Sequence, residues 1–480
     1  MAAFGSLIHF RLRTIVEVVA CLLIAFLLVQ TWFFEGMIVP CRITSGSMAV
    51  TLLGVHRDVV CVDCGYAFSA DASFQPTGPR AVCPNCGYAN NDLQSLPDLD
   101  GDGLLIDRLA YQFRSPRRWE IAAFRRVNET GNILVKRVAG LPGESIEILD
   151  GDIYIDGKIQ RKTLAQQRSM AVLVYDANHP AALPPVPPPR WQSEDENSLW
   201  KSDRGRFMHT SPHPSPLRAP TEGWSGEGII DWLIYRHWQR SPGQEVGFQV
   251  CPITDVMGYN QTLPRREEDI HKVNDLLLSF RLMNTSGRGM FFIRTICGQY
   301  VFQVEIDPNA GLFRATINGI EIVPADDRFP RDIKGLEVVV STIDRQFLLA
   351  FDGQTVLCQP MDDPVSQTIS TSQPFALGAA GLEVAVEDLQ IYRDVYYTHP
   401  IGLQGRWALN QPFRLGEHEF FVLGDNSSIA EDSRTWPENP AVMDKLLIGK
   451  PLMVLFPVKS AFIGKWHFQV PDPSRIRYIR

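Results

Sequence analysis

The sequence predicts a mainly β protein behind one N-terminal transmembrane helix. Two observations carry the β expectation. Residues 273–395 hold a run of short alternating strands separated by turn signals. The stretches 37–60, 93–162 and 405–455 repeat that style at lower density. The third observation is residues 15–34, IVEVVACLLIAFLLVQTWFF, an apolar run long enough to cross a bilayer.

At 480 residues the chain can hold several domains. Its 45% apolar and 21% charged residues are ordinary globular composition. A net charge of −8 offers no basic face, so nucleic acid is not an expected partner. Nine scattered or clustered cysteines do not describe a disulfide scaffold.

The apolar run is interrupted only near its ends, by Glu17 and Gln30, and Trp32 suits an interfacial belt. Arg11 and Arg13 precede it and Glu35 follows. The positive-inside rule puts the N-terminus in the cytoplasm and the rest outside. The run is long for a cleaved signal peptide, and no A-x-A site follows it. The expected location is therefore the cell (inner) membrane, as a single-pass protein in contact with the lipid bilayer.

Met37 to Val50 reads as a strand entering the hydroxyl-rich turn Ser45-Gly46-Ser47, and Val55–Val60 as another strand. Cys61 and Cys64 are then answered by Cys83 and Cys86, in the spacing C-x2-C-x18-C-x2-C. Two tight turns, each with glycine after its second cysteine, offer four thiolates to one tetrahedral zinc. All four positions are filled, so the expected zinc ribbon is structural. Asp98, Asp100 and Asp102 resemble the start of a calcium loop, but Leu109 stands where the closing glutamate belongs. They read better as an acidic turn before the strand Leu104–Leu109.

Trp119–Phe124 and Ile133–Val138 read as strands, and Ile146–Lys158 as a hairpin with Asp-Gly turns. Residues 179–190 hold six prolines and read as a linker, followed by an aromatic-rich subdomain around Trp224, Trp232 and Trp238. The later strands include Leu276–Leu282, Phe302–Ile306, Phe313–Gly319, Leu336–Ser341, Phe347–Gly353 and Glu387–Tyr392. Their "FDG" and "DLQIYRD" segments resemble jelly-roll sandwiches of the laminin-G or legume-lectin type, which implies an envelope protein or glycan as ligand, or a space-filling role.

Ser47 needs a base to become a nucleophile. No histidine stands in a recognisable triad motif. Lys136, flanked by Ile133, Leu134, Val135 and Val138, can serve if burial depresses its pKa. Four segments then resemble, in order, the boxes of bacterial type I signal peptidases. They are Ser45-Gly46-Ser47-Met48 after an anchor, Gly101-Asp102 to Asp107, Lys136-Arg137 to Glu144, and Gly424-Asp425-Asn426 followed by Asp432-Ser433-Arg434.

The resemblance implies a Ser-Lys serine endopeptidase that removes signal peptides from exported preproteins. Ser47 would be its nucleophile and Lys136 its base, with Ser45 helping to form the oxyanion hole. Asp425, Asn426, Asp432, Ser433 and Arg434 would support the dyad, and no cofactor would take part in catalysis. It divides the chain into anchor 1–36, core parts 37–60, 93–162 and 401–480, ribbon 61–92, linker and subdomain 163–272, and β-sandwich 273–400.

Two positions depart from the family pattern. Val50 replaces a usual proline. Ala430 replaces a serine that orients the lysine, leaving Ser428 or Ser433 to stand in, or activity reduced. The second reading, a membrane-anchored envelope binding protein with a degenerate peptidase core, rests on Ala430.

Overall fold

A computed structural model describes residues 16–29, 36–73, 79–126, 132–210, 230–240, 247–260, 267–324, 326–330, 333–361, 369–409, 411–455, 457–463 and 466–479. The fold is mainly β, and its ladders are antiparallel.

The first sheet runs, in spatial order, through Ile38–Arg42, Gly103–Asp107, Leu447–Val454, Ile121–Phe124, Leu134–Gly140, Glu419–Leu423 and Ala441–Met443. Strands from both ends of the chain are interleaved within it. Ile121 and Ala123 pack with Ile43, Met48, Leu104 and Val454 on one side. Ala122 and Phe124 pack with Val138, Val422 and Trp436 on the other. Successive side chains of a strand point to opposite faces, so a strand buried on both faces reads as a continuous apolar run.

Next to it, Ser145–Leu149, Asp152–Ile155 and Lys158–Ile159 form the expected meander, extended by Phe413–Arg414. Its two turns are Asp150-Gly151 and Asp156-Gly157, all four residues at positive φ. That is the backbone that makes Asp-Gly a hairpin signal.

The largest sheet is built on two long paired strands, Leu276–Cys297 and Phe375–Arg393. The sequence pattern reads only Leu276–Leu282 and Glu387–Tyr392 of these. Register shifts at Ser279/Arg281, Leu282/Asn284 and Gly287/Met290 break the period-two alternation and hide their continuity.

Residues 163–272 differ from the expected linker and separate subdomain. Val172–Asp176, Arg206–His209 and Asp231–Tyr235 all pair with Phe375–Arg393, and Trp191–Ser193 pairs with Asp231–Tyr235. The proline stretch is thus a connection between strands of one sheet. Its partners lie far downstream, so no local pattern reveals the pairing. Trp224 falls outside the described residues.

Residues 16–28 are α-helical and their apolar side chains are exposed, Leu22 by 64% and Phe26 by 61%. Among the described residues no helix is long and apolar enough to cross a membrane, so the expected spanning helix is not found there. Arg11, Arg13, Gln30, Trp32 and Glu35 lie outside those residues.

Candidate active site

Ser47 lies in a single 3₁₀ turn, Gly46–Met48, that follows the strand Ile38–Arg42. Two braces hold the turn. Asp102 accepts from the Leu53 amide at 3.0 Å, while its backbone bonds Ile43 and Leu53. Asn426 donates its backbone N–H to Ser47 O at 3.0 Å and its side-chain amide to Gly46 O at 2.9 Å. Gly46 is required here, because a Cβ would come within 2.6 Å of the Tyr259 ring.

Lys136 stands mid-strand in Leu134–Gly140, opposite Ala122. Its Nζ donates to Ser47 Oγ at 2.7 Å. Ser45 Oγ lies 3.2 Å from Ser47 Oγ. The lysine is only 4% exposed, and among the described residues no carboxylate lies within ion-pair distance of it. Burial pushes its pKa down to about 8, against the opposing pull of Asp432 and with Arg434 adding to the fall. An amine with that pKa is substantially neutral near pH 8 and can take a proton from the hydroxyl it touches.

The supporting residues divide by task. Asp425 clamps Arg137, the lysine's neighbour, through a buried bidentate pair at 2.7 and 2.6 Å. Asp432 and Arg434 form a second fully buried pair, at 2.9 and 2.7 Å. Asp432 also accepts from the Gly424 amide, and Arg434 bonds Ser427 Oγ. Ser433 Oγ accepts from Val422 N, tying the loop to the strand Glu419–Leu423.

Ala430 is fully buried beside Gly424, where a Cβ would meet Ala430 at 2.4 Å, Ser47 O at 2.5 Å and Lys136 Nζ at 3.5 Å. Of the two stand-in hydroxyls, Ser433 serves Val422, and Ser428 Oγ accepts from Asn260 at 2.9 Å. The hydrogen bond made by Lys136 goes to Ser47. Asn260 carries no motif and was not anticipated. Arg137 stands in the same box as Lys136, but nothing in the sequence marks it as the partner of Asp425.

Away from this cluster, the Sγ atoms of Cys61, Cys64, Cys83 and Cys86 all lie within 4.8 Å of one another, and all four residues are buried. Cys61–Cys86 and Cys64–Cys83 are each 3.6 Å apart. Gly65 and Gly87, at φ +71 and +70, close the two knuckles by donating to the Cys61 and Cys83 carbonyls. The acidic turn does not converge on a cation: Asp98 pairs with Arg57, Asp100 with Arg42, and Asp102 with Arg475.

A half-buried serine hydroxyl held by a buried, uncharged-capable lysine defines a class of site, the Ser-Lys pair. Comparison with known proteins narrows it. Residues 91–197, which include Lys136, match the family described as signal peptidase, peptidase S26. "Signal peptidase I V" of Bacillus subtilis is 36% identical over 59 residues, covering 12% of this chain and 34% of that protein. "Signal peptidase I" of Rickettsia akari is 32% identical over 137 residues, covering 28% of this chain and 42% of that protein. The chain therefore spans less than half the length of these curated relatives.

Among solved structures, the carbohydrate binding module CBM66 from Bacillus subtilis is 12% identical with a TM-score of 0.25, covering 42% of this chain and 93% of that one. Galectin LEC-6 of Caenorhabditis elegans is 11% identical with a TM-score of 0.18, covering 24% and 83%. At these scores neither likeness carries an argument about this chain.

Proposed function

We propose that this chain is a membrane-bound serine endopeptidase that removes N-terminal signal peptides from exported preproteins. The observation that carries the reading is the 2.7 Å contact between Lys136 Nζ and Ser47 Oγ inside a site that depresses the lysine pKa. The S26 match and the signal peptidase I relatives point to the same substrate class.

Neutral Lys136 takes the Ser47 proton as Oγ attacks the carbonyl of the residue before the scissile bond. Among the described residues the Ser47 amide N–H has no protein acceptor, and with the Ser45 hydroxyl it forms the oxyanion hole. The protonated Lys136 hands its proton to the leaving amine. It then draws a proton from water, which attacks the acyl ester and frees Ser47. The pairs Asp425–Arg137 and Asp432–Arg434 keep the strand and loop around the lysine fixed without touching the substrate.

The apolar residues 16–29 are read as part of an anchor that holds the site outside the cytoplasmic face of the cell membrane. The four thiols are read as a structural zinc site. Their 3.6 Å separations fit a tetrahedron whose sulfur–sulfur edges are about 3.8 Å for Zn–S of about 2.3 Å. Cys61, Cys64, Cys83 and Cys86 would hold the ion, which would fix the fold of that arm and take no part in proteolysis. Metal analysis of the purified chain should return one zinc per molecule, and a value near zero removes the ribbon from this account.

Processing of a preprotein by the purified full chain, beside Ser47→Ala and Lys136→Ala, tests the enzyme reading. Cleavage by the wild type alone supports it. A correctly folded wild type that leaves the preprotein intact favours the binding-protein alternative, to which Ala430 lends its weight.

A further inference from the structure

The Gly258–Asn260 turn lies outside every segment that resembles a signal peptidase, yet it touches the turn that carries Ser47. Asn260 is 2% exposed and Asn426 is fully buried. Their side-chain amides form a reciprocal pair. Asn260 Nδ2 donates to Asn426 Oδ1 at 2.5 Å, and Asn426 Nδ2 donates to Asn260 Oδ1 at 2.7 Å. Asn260 Nδ2 also reaches Ser428 Oγ at 2.9 Å.

A primary amide has two donor hydrogens on one side and acceptor lone pairs on the other. Asn426 spends one N–H on Asn260 and the other on Gly46 O. Its oxygen takes the Asn260 N–H. Gly46 O sets which way the Asn426 amide faces, and the reciprocal pair with Asn260 holds that amide in place. A flipped Asn426 would set its oxygen against the Gly46 carbonyl, two acceptors in a buried place, which is costly. The same Asn426 holds Ser47 O through its backbone N–H.

We infer that Asn260 is a positioning residue for Ser47, through which the sandwich supports the reactive turn. The connection is continuous. Arg393, at the end of the long strand Phe375–Arg393, donates to Asp255 O at 2.8 Å. Four residues on, Tyr259 packs with Ala49 and Leu53 and stands over Gly46, and the next residue, Asn260, pairs with Asn426. The part of the chain that looks most dispensable to chemistry thus supplies one wall of the site. This inference rests on the peptidase reading for its catalytic consequence, but its structural half stands without it.

Asn260→Ala in the full chain tests both halves. Hydrogen exchange is read on peptides covering 43–53 and 424–430, and turnover is read per folded molecule. Exchange should rise about tenfold in both peptides with the melting temperature of the rest held. The kcat should fall on the order of tenfold at unchanged KM, the size expected when a reacting group is misplaced by a fraction of an ångström. The rate profile should keep its rise near pH 8, because Lys136 is not disturbed. Asn260→Ala with Asn426→Ala should be no slower than Asn426→Ala alone, since both act through one contact.

Exchange and kcat within twofold of wild type, or additive losses in the double variant, overturn the inference. If the wild type does not process preproteins, the peptidase reading falls while the exchange measurement still decides the role of Asn260. Asn260→Ser, smaller but polar, replaces Asn260→Ala if the latter does not accumulate folded.

Discussion

Two lysines of this chain are almost equally hidden, and they end in opposite states. Lys136 is 4% exposed and Lys162 is 3%. Lys136, in the first sheet, has a serine hydroxyl at its amine and no carboxylate in contact among the described residues, and its pKa falls to about 8. Lys162 sits where the small meander meets the sandwich, with Asp344 at 2.5 Å and Asp394 at 2.8 Å. Burial pulls its pKa down too, but those two carboxylates outweigh burial and hold it above the ordinary lysine value. Burial alone does not make a lysine a base; burial without a carboxylate partner does. The first arrangement suits an amine that can lose its proton, and the second an ammonium that keeps it.

The largest effect should separate the two lysines by function. Lys136→Ala should reduce preprotein cleavage at least about a thousandfold, as removal of a member of a catalytic unit does, with folding intact by circular dichroism. Lys162→Met should leave turnover per folded molecule near wild type and cost about 3–5 kcal/mol of stability in urea unfolding, because Asp344 and Asp394 lose their buried counter-ion. Loss of activity per folded molecule in Lys162→Met would erase the contrast.

Acidity should sharpen it next. Below pH 8 Lys136 becomes an ammonium and cannot accept the Ser47 proton, so kcat/KM should fall about tenfold per pH unit. The linkage signs also oppose each other. The folded state binds the Lys136 proton less tightly than the unfolded chain does, whose lysine titrates near about 10.4. That group therefore adds stability as pH rises from about 8 towards the unfolded value. At the junction, burial raises the Asp344 pKa to about 7, against the pull of Lys162 and with the help of Asp394 and Asp275. Burial raises Asp152 as well, with Asp275 and Asp344 adding to it, and burial with Asp394 raises Asp275 against a hydrogen bond from Asp152. The folded state there binds protons more tightly than the unfolded chain, so its contribution is lost as pH climbs from about 4 to about 7. Urea midpoints across that range should decline more in wild type than in Asp344→Asn.

A smaller change probes the partner that Lys136 lacks. Ala430→Ser puts a hydroxyl beside Gly424, near Nζ. One such hydrogen bond is worth about 1 kcal/mol, or roughly fivefold in rate. A several-fold rise in kcat, with the pH rise retained, would mean that the buried lysine was under-restrained in the native chain. No change would mean that packing alone holds it.

The contact between Ser47 and Lys136 was legible because short local boxes carry both residues: Ser45-Gly46-Ser47 follows an apolar run, and Lys136 lies inside an apolar strand. The four thiols were legible for the same reason, since two C-x2-C turns are local. The sandwich was legible only where its alternation is unbroken, as in Leu336–Ser341. Val172–Asp176 and Asp231–Tyr235 were hidden because their partner, Phe375–Arg393, is remote in the chain. Asn260 was hidden because a buried amide pair leaves no spacing signature; only the fold brings residues 260 and 426 together.

The position of Leu447–Val454 in the middle of the first sheet, between Gly103–Asp107 and Ile121–Phe124, bears on how the chain is made. During synthesis the turn that carries Ser47 and the strand that carries Lys136 emerge early, yet the strand that joins their halves of the sheet comes almost last. A nascent chain holds both groups on unjoined edges for most of its elongation. If the peptidase reading holds, the site would be assembled late and all at once, and an unfinished molecule would lack the joined sheet that brings Ser47 and Lys136 together.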